Sequence, residues 1–298
     1  MSVIFIFVDG IGVGPGGDHN PLDDAKWSLF KEFTQVDGLH DGHKTHQTDN
    51  ILYKAIDANL GVEGLPQSGT GQVTLFSGIN ASKEIGKHFG PFPHSKTKKF
   101  LKNGSLFHRV KNLKKSPHFL NAYPEIFFER AEQRNRWTAT TLMVKSADIR
   151  LNSVSDVIEG RAVTAEIKKN IWREKLNLDV PEISEEEAAD RVLQAAKIHD
   201  LVLYEFYLTD KAGHKMDRTY ADEIRDVLNP FLLHITKNLS NDDTFVLTSD
   251  HGNLEDLRIK THTRNPVPLL VKGEIDYFKD VESILDVTPS IINLLQNR

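Results

Sequence analysis

The chain has 298 residues, with 37 Lys and Arg against 42 Asp and Glu and a net charge of -5. Hydrophobic residues make up 39% and charged residues 27%, as in an ordinary globular protein without a global electrostatic bias. There are no cysteines, which excludes disulfides and thiolate ligands, so any metal must be held by imidazole and carboxylate groups.

No apolar run approaches the ~20 residues of a membrane span. The opening run Val3–Val8 is too short for a signal peptide, lacks a basic leader and runs into Asp9-Gly10. It reads as a first buried strand, and the cytoplasm is the expected compartment. Further strand-like runs are Leu201–Leu208, Thr244–Thr248 and Val267–Val271. They are continuous rather than alternating, as in strands covered on both faces.

Helical patterns lie between the later strands. One opens at Ser184 with Glu187 three residues on, the spacing of a capping box, and runs to about Ile198. A second covers roughly 220–239. A third is expected to start at Thr288, with Pro289 as its first helical residue. Strand–helix alternation predicts an α/β fold with a doubly wound, mainly parallel sheet sandwiched by helices.

The middle of the chain breaks this rhythm. From Lys83 to Leu120 there are ten Lys or Arg and a single acid, Glu84, with Gly and Pro at Gly86, Gly90, Pro91 and Pro93. The expected organisation is a core of 1–89 and 186–298 with a small inserted cap at 90–185. The basic segment follows Ser68 closely enough to concentrate an anionic substrate. Lys87, His88 and His94 are its candidate contacts; a merely solvated face is the alternative. Nucleic acid is a poor fit, because the aromatics form no evident stacking platform.

Five segments carry groups suited to metal and phosphate chemistry. Asp9 ends the first strand, where ligands gather in open α/β sheets. Asp210 and His214 end another strand, four residues apart, so a helical turn brings them to one side. Asp250-His251 ends a third, before Gly252-Asn253, and His262 lies just ahead of the strand at Val267. Carboxylate with imidazole suits Zn²⁺ or Mn²⁺. Ser68 and Thr70 stand in Pro66-Gln67-Ser68-Gly69-Thr70-Gly71, before an apolar helical run. A hydroxyl there sits among free backbone N–H groups that bind phosphate oxygens. Each segment alone also has a plain reading as turn, cap or polar surface.

Together, in this order and spacing, the segments resemble the alkaline phosphatase superfamily. The nearest branch is that of cofactor-independent phosphoglycerate mutase and phosphopentomutase. The resemblance covers about 1–80 and 200–298, and implies an alkaline-phosphatase-like core. Ser68 stands ten residues before Gly78, an interval that matches the family's nucleophile and favours Ser68 over Thr70. The resemblance implies two divalent ions, one held by Asp210, His214 and His262, the other by Asp9, Asp250, His251 and Ser68. Two cations roughly 3.5–4 Å apart can stabilise both the attacking and the leaving oxygen of an in-line displacement. Manganese suits a carboxylate-rich site somewhat better than zinc, but the ligands leave both open. Glu255 resembles an acidic position of the mutase branch and reads equally well as surface.

The expected function is therefore metal-dependent phosphoryl transfer on a small phosphorylated substrate, through a phosphoserine at Ser68. Mutases of the branch carry Gly-His after the nucleophile, whereas this chain has Gly71-Gln72. The middle segment also shows no machinery for excluding water. A phosphatase or phosphodiesterase is therefore expected, with a phosphomutase as runner-up. A catalytically silent metal-binding or interaction protein is the reading from another class. A sulfatase is disfavoured, since Ser68 lacks the maturation context. The substrate and the oligomeric state are not readable from the chain.

Overall fold

A computed structural model describes residues 1–168 and 170–298. Seven strands form one sheet among the described residues: β1 (Val3–Val8), β2 (Thr45–Gln47), β3 (Ile51–Ile56), β4 (Pro117–Phe119), β5 (Leu201–Phe206), β6 (Thr244–Thr248) and β7 (Val267–Lys272). The helices are α1 (Ser28–Thr34), α2 (Ser68–Ser77), α3 (Ala81–Ile85), α4 (Lys98–Gly104), α5 (Leu106–Asn112), α6 (Glu125–Gln133), α7 (Ala139–Ser146), α8 (Val154–Ile158), α9 (Asn170–Glu174), α10 (Glu185–Ala196), α11 (Leu208–Lys215), α12 (Arg218–Lys237) and α13 (Ile284–Gln296).

The strand order is β2-β3-β7-β6-β1-β5-β4. β1 pairs in parallel with β5 and β6, and β4 with β5. β7 runs antiparallel to β6 and β3, and β2 antiparallel to β3. The sheet is thus mixed and mostly parallel.

The central strands are apolar throughout because both faces are covered. Val3, Phe5 and Phe7 of β1 join one cluster with α2, α4, α5, α7 and α13. Ile4, Ile6 and Val8 join the other with α1, α10 and α12. Successive side chains of a strand point to opposite faces, so alternate residues feed opposite layers. Phe76 of α2 meets Phe5 and Phe7 edge-on, with ring centroids 6.2 and 5.3 Å away.

Several sequence expectations shift. The run expected as strand to Leu208 ends at Phe206, and Leu208 opens α11 instead. Leu208 and Ala212 pack into the second layer, so the apolar run continues across the turn and hides it. Ser184 does cap α10, accepting from the Glu187 N–H, while the Glu187 carboxylate pairs with Arg191. α13 begins at Ile284 behind a full capping box of Ser283 and Asp286, which places Pro289 inside the helix rather than at its start.

Residues 90–185, the expected insert, supply β4 at the sheet edge and α4, α5 and α7 to one helical layer. A small apolar cluster of their own joins Ala122, Val157, Ala162, Trp172 and Val180. Among the described residues no helix is long and apolar enough to cross a membrane.

Phe76 is fully buried on the helix that begins at Ser68, so it anchors that helix to the sheet. Phe76→Ala should cost about 3–5 kcal/mol of unfolding free energy, the range for a buried aromatic. Urea denaturation reads this directly, and a loss below ~1 kcal/mol would contradict the packing described.

Candidate metal centre

The sheet brings the chemical groups to one edge. β1, β5 and β6 are parallel and end side by side, so Asp9, Asp210 and Asp250 lie just past neighbouring strand ends. β7 enters the sheet from that same edge in the opposite sense, which brings His262 there. Gly10 adopts a positive φ of 72°, and a Cβ at this position would lie 2.6 Å from the Asp210 Cβ. Only glycine allows the turns after β1 and β5 to approach so closely.

Ser68 is the first residue of α2, behind an extended Gln67. Its Oγ lies 3.0 Å from His251 Nε2. The same Nε2 is 3.3 Å from Asp9 Oδ1 and 3.5 Å from Asp250 Oδ2. Gln72, one turn further along α2, donates to Asp9 Oδ2 at 3.1 Å. Asp9, Asp250 and His251 each offer a ligand atom within 4.8 Å of one another, and all three are buried. Thr70 turns elsewhere: its Oγ1 donates to Gln67 O and accepts from the Phe89 N–H.

The second group lies beside the first. His262 Nε2 is 3.2 Å from His214 Nε2 and 3.5 Å from Asp210 Oδ1, and His214 Nε2 is 3.3 Å from Asp210 Oδ2. Nδ1 of His262 lies 2.7 Å from Pro66 O, and Nδ1 of His214 lies 2.8 Å from Lys260 O. Each Nδ1–H therefore donates to a carbonyl, which leaves a lone pair on each Nε2. With both rings neutral the two lone pairs face each other, an arrangement that suits a shared cation. The rings of His251 and His262 stack at 3.8 Å, joining the two groups, and Asp210, His251 and His262 also fall within 4.8 Å. His214 sits at the rim, its side chain 42% exposed.

Burial sets the electrostatics. It pushes the Asp9 carboxyl well up from the usual range, with Asp250 and Asp210 adding repulsion. Burial also pushes Asp250 up to about 7. The imidazoles of His251 and His262 are both pushed down to about 4, chiefly by burial. Asp9 Oδ1 and both Asp250 oxygens have no hydrogen-bond donor. Orphaned buried carboxylates are costly unless a cation compensates them. The donor set thus fits one or two divalent cations.

Lys87, His88 and His94 are not joined to these groups by any described hydrogen bond or ion pair. Lys87 is exposed. His88 contacts Ser82 Oγ and Val62 O, and His94 accepts from the Lys96 N–H. Their loop does abut the helix start, since a Cβ at Gly69 would lie 2.6 Å from Phe89 O.

Three buried residues near the site carry more than the sequence suggested. Glu255, open to a surface reading, is fully buried and accepts from the backbone N–H of Gly12 and Asn253. Asn253 donates to Asp210 Oδ1 at 2.7 Å. Glu205 of β5 is pushed up to about 7 by burial and accepts from Thr140 Oγ1 at 2.7 Å. A lone acid inside an apolar strand was a usable signal for Glu205.

A mostly parallel sheet between helical layers, with acids and imidazoles gathered at its strand ends, defines an alkaline-phosphatase-like metalloenzyme. The sequence profile of the Metalloenzyme superfamily matches residues 1–297, and the chain belongs to that superfamily. Membership implies divalent metal ions. A 2,3-bisphosphoglycerate-independent phosphoglycerate mutase of Desulforudis audaxviator is 30% identical over 124 residues, 39% of this chain and 24% of that enzyme. The chain therefore matches about a quarter of that relative's length. The alkaline phosphatase of the Antarctic bacterium TAB5 superposes with a TM-score of 0.53 at 12% identity, over 99% of this chain and 97% of that one. The lipoteichoic acid synthase LtaP of Listeria monocytogenes superposes at 0.51 and 8% identity, over 99% and 72%. At such identities the structural likeness is one of fold.

The pKa shifts give a signed pH dependence. Asp250, raised from 3.8 to about 7, gives the metal-free fold extra protons that stabilise it below about pH 7; this contribution is lost as pH rises through 7. His251, lowered from 6.5 to about 4, acts oppositely, its contribution lost as pH falls from 6.5 towards 4. Cations need the carboxylates deprotonated and the imidazoles neutral. The His251 and His262 imidazoles, pushed down to about 4, do not compete with a cation above that pH, so around them the carboxylates limit binding. The rise in Tm on adding saturating Mn²⁺ should be larger at pH 8 than at pH 5.5. Equal rises would contradict carboxylate control.

Proposed function

We propose that the chain is a phosphohydrolase, a phosphatase or phosphodiesterase, acting on a small phosphorylated substrate through a phosphoserine at Ser68. The observation that carries this reading is the Ser68 hydroxyl, 3.0 Å from His251 Nε2 at the start of α2. In the proposed arrangement Asp9, Asp250, His251 and Ser68 hold one ion, and Asp210, His214 and His262 the other, with Mn²⁺ or Zn²⁺ as candidates. Bound divalent ions would lower the hydroxyl pKa and offset charge on the phosphoryl oxygens.

The residues divide the remaining work. The Ser68 hydroxyl proton passes to solvent as Oγ attacks phosphorus; the O–P bond forms as the bond to the leaving oxygen breaks, and that oxygen takes a proton from solvent. At the start of α2 the Thr70 and Gly71 N–H groups donate to Gln67 O, so the preceding N–H groups, of Ser68 and Gly69, would receive the phosphoryl oxygens, aided by the helix dipole. Water then attacks phosphorus, the serine O–P bond breaks, and Ser68 regains a proton as phosphate leaves. Gln72 holds Asp9 by its amide and fixes the carboxylate relative to α2. Hydrolysis is favoured because the Asp210–His214 side stands open, with His214 42% exposed, so water reaches the site. The segment 90–185, together with the loop carrying Lys87, His88 and His94, would select the substrate.

A second reading is a phosphomutase, supported by the 30% identity to phosphoglycerate mutase. It differs only in the acceptor, a substrate hydroxyl in place of water.

The test is hydrolysis of p-nitrophenyl phosphate and bis-p-nitrophenyl phosphate with Mn²⁺ or Zn²⁺ added. Ser68→Ala should lower kcat by at least about 1,000-fold, the scale for removing a nucleophile that works within a set. Thr70→Val loses only backbone hydrogen bonds and should stay within about tenfold. Activity unaffected by Ser68→Ala sinks the proposal. With a phosphopentose or phosphoglycerate, isomerisation faster than phosphate release would replace the hydrolase by the mutase.

A further inference from the structure

Glu255 has no basic side chain among its hydrogen-bond partners, yet its carboxylate is fully buried. Four donors point at it. Oε2 accepts from the Gly12 N–H at 3.0 Å and the Asn253 N–H at 2.7 Å. Oε1 accepts from Asn265 Nδ2 at 3.0 Å and from the Thr263 hydroxyl. These donors come from three segments, one of them more than two hundred residues from the other two. Gly12 belongs to the turn carrying Asp9, Asn253 to the turn carrying Asp250 and His251, and Thr263 to the segment carrying His262.

The same carboxylate reaches Asp210 indirectly. Asn253, held through its backbone by Glu255, donates from Nδ2 to the Asp210 carbonyl at 3.1 Å and to Oδ1 at 2.7 Å. The segments also meet directly, through Leu254 N to Gly10 O at 2.9 Å, Thr263 N to Gly252 O at 3.0 Å and Val13 N to Pro266 O at 2.7 Å. A side chain at Gly12 or Gly252 would strike Glu255 Oε1, so both glycines leave the space that the carboxylate fills. A surface glutamate makes none of these contacts.

We propose that Glu255 is a positioning residue that fixes the turns bearing Asp9, Asp250 and His262 in one register and, through Asn253, couples the two ion sites. This rests on the two-ion reading above. Its consequence is that the ions bind as a unit: ordering one turn for the first ion orders the others for the second. The relevant property is the set of accepted hydrogen bonds, more than the negative charge. A glutamine can supply much of that set. Its carbonyl oxygen would take the two backbone N–H groups, and its amide would donate to Thr263 Oγ1 and to a flipped Asn265 amide.

The test titrates Mn²⁺ into the metal-free full chain by calorimetry and records the EPR spectrum at two equivalents. The wild type should bind two ions and give a spin-coupled pair spectrum. Glu255→Ala should weaken the second ion by at least about tenfold, the scale for residues that orient ligands, and give an uncoupled six-line spectrum. Glu255→Gln should restore the coupled spectrum. Should Glu255→Ala fail to fold by circular dichroism, Thr263→Val and Asn265→Ala carry the test, each expected to weaken the second ion severalfold without change in fold. A coupled pair with unchanged affinity in the folded variants overturns the proposal. So does Glu255→Gln behaving as poorly as Glu255→Ala, which would make charge the operative property. A wild type that binds no coupled pair removes the two-ion reading itself, and the role of Glu255 with it.

Discussion

Asp9 and Asp250 stand together, buried, with the His251 imidazole beside them but no lysine or arginine in any described ion pair, and much else in the fold serves that contact. Two carboxylates so placed repel one another, and neither keeps its ordinary pKa. Such a pair survives only where the surrounding structure fixes it and a cation or a proton compensates it. The two-sided core provides the fixing. β1 is buried along its whole length, so Asp9 cannot retreat into solvent without pulling a fully packed strand with it. The Thr209 hydroxyl donates to the Asp9 carbonyl at 2.5 Å and secures the turn from the β5 side.

The helix start at Ser68 is held with comparable care. A Cβ at Gly71 would lie 2.9 Å from Asp250 O, so α2 lies against the turn after β6. At its far end the Thr288 hydroxyl of α13 donates to Leu75 O at 2.6 Å. α2 is buried at every position, which explains why its sequence alternates glycine, hydroxyl and apolar residues without an exposed face. A hydroxyl on such a helix has one place to be. Positioning of that kind contributes to rate without any motion of the protein.

Much of this was legible in the sequence because the site is made by strand ends. Continuous apolar runs mark where β1, β5 and β6 lie, and an acid within four residues of each strand end marks the same sheet edge. The structure gathers Asp9, Ser68, Asp210, His214, Asp250, His251 and His262 at that edge. What could not be read lies where local pattern carries no long-range information. β2 and β4 are three residues each and owe their strand geometry to their partners. Glu255 looks like a surface acid from its neighbours, and its burial follows from two glycines more than two hundred residues apart. Thr140 meets Glu205 from a helix whose position depends on packing over α2 and α4. Pro289 suggested a helix start, and a capping box opening six residues earlier at Ser283 prevailed, because two satisfied end groups outweigh a residue that is tolerated rather than required.

The two halves of the site are unequal in a way that bears on the acceptor. His251 is sealed, whereas His214 opens to solvent with 42% of its side chain exposed. A sealed nucleophile side raises the strength of every charge interaction around Ser68, because little water screens it. An open far side does the opposite and admits whatever is to accept the phosphoryl group. In the proposed reaction the leaving group departs, and water arrives, across Asp210 and His214. Retaining a departed alcohol for return transfer would require that side to be covered. The residues best placed to decide hydrolysis against transfer are therefore those that cover His214, rather than those that surround Ser68.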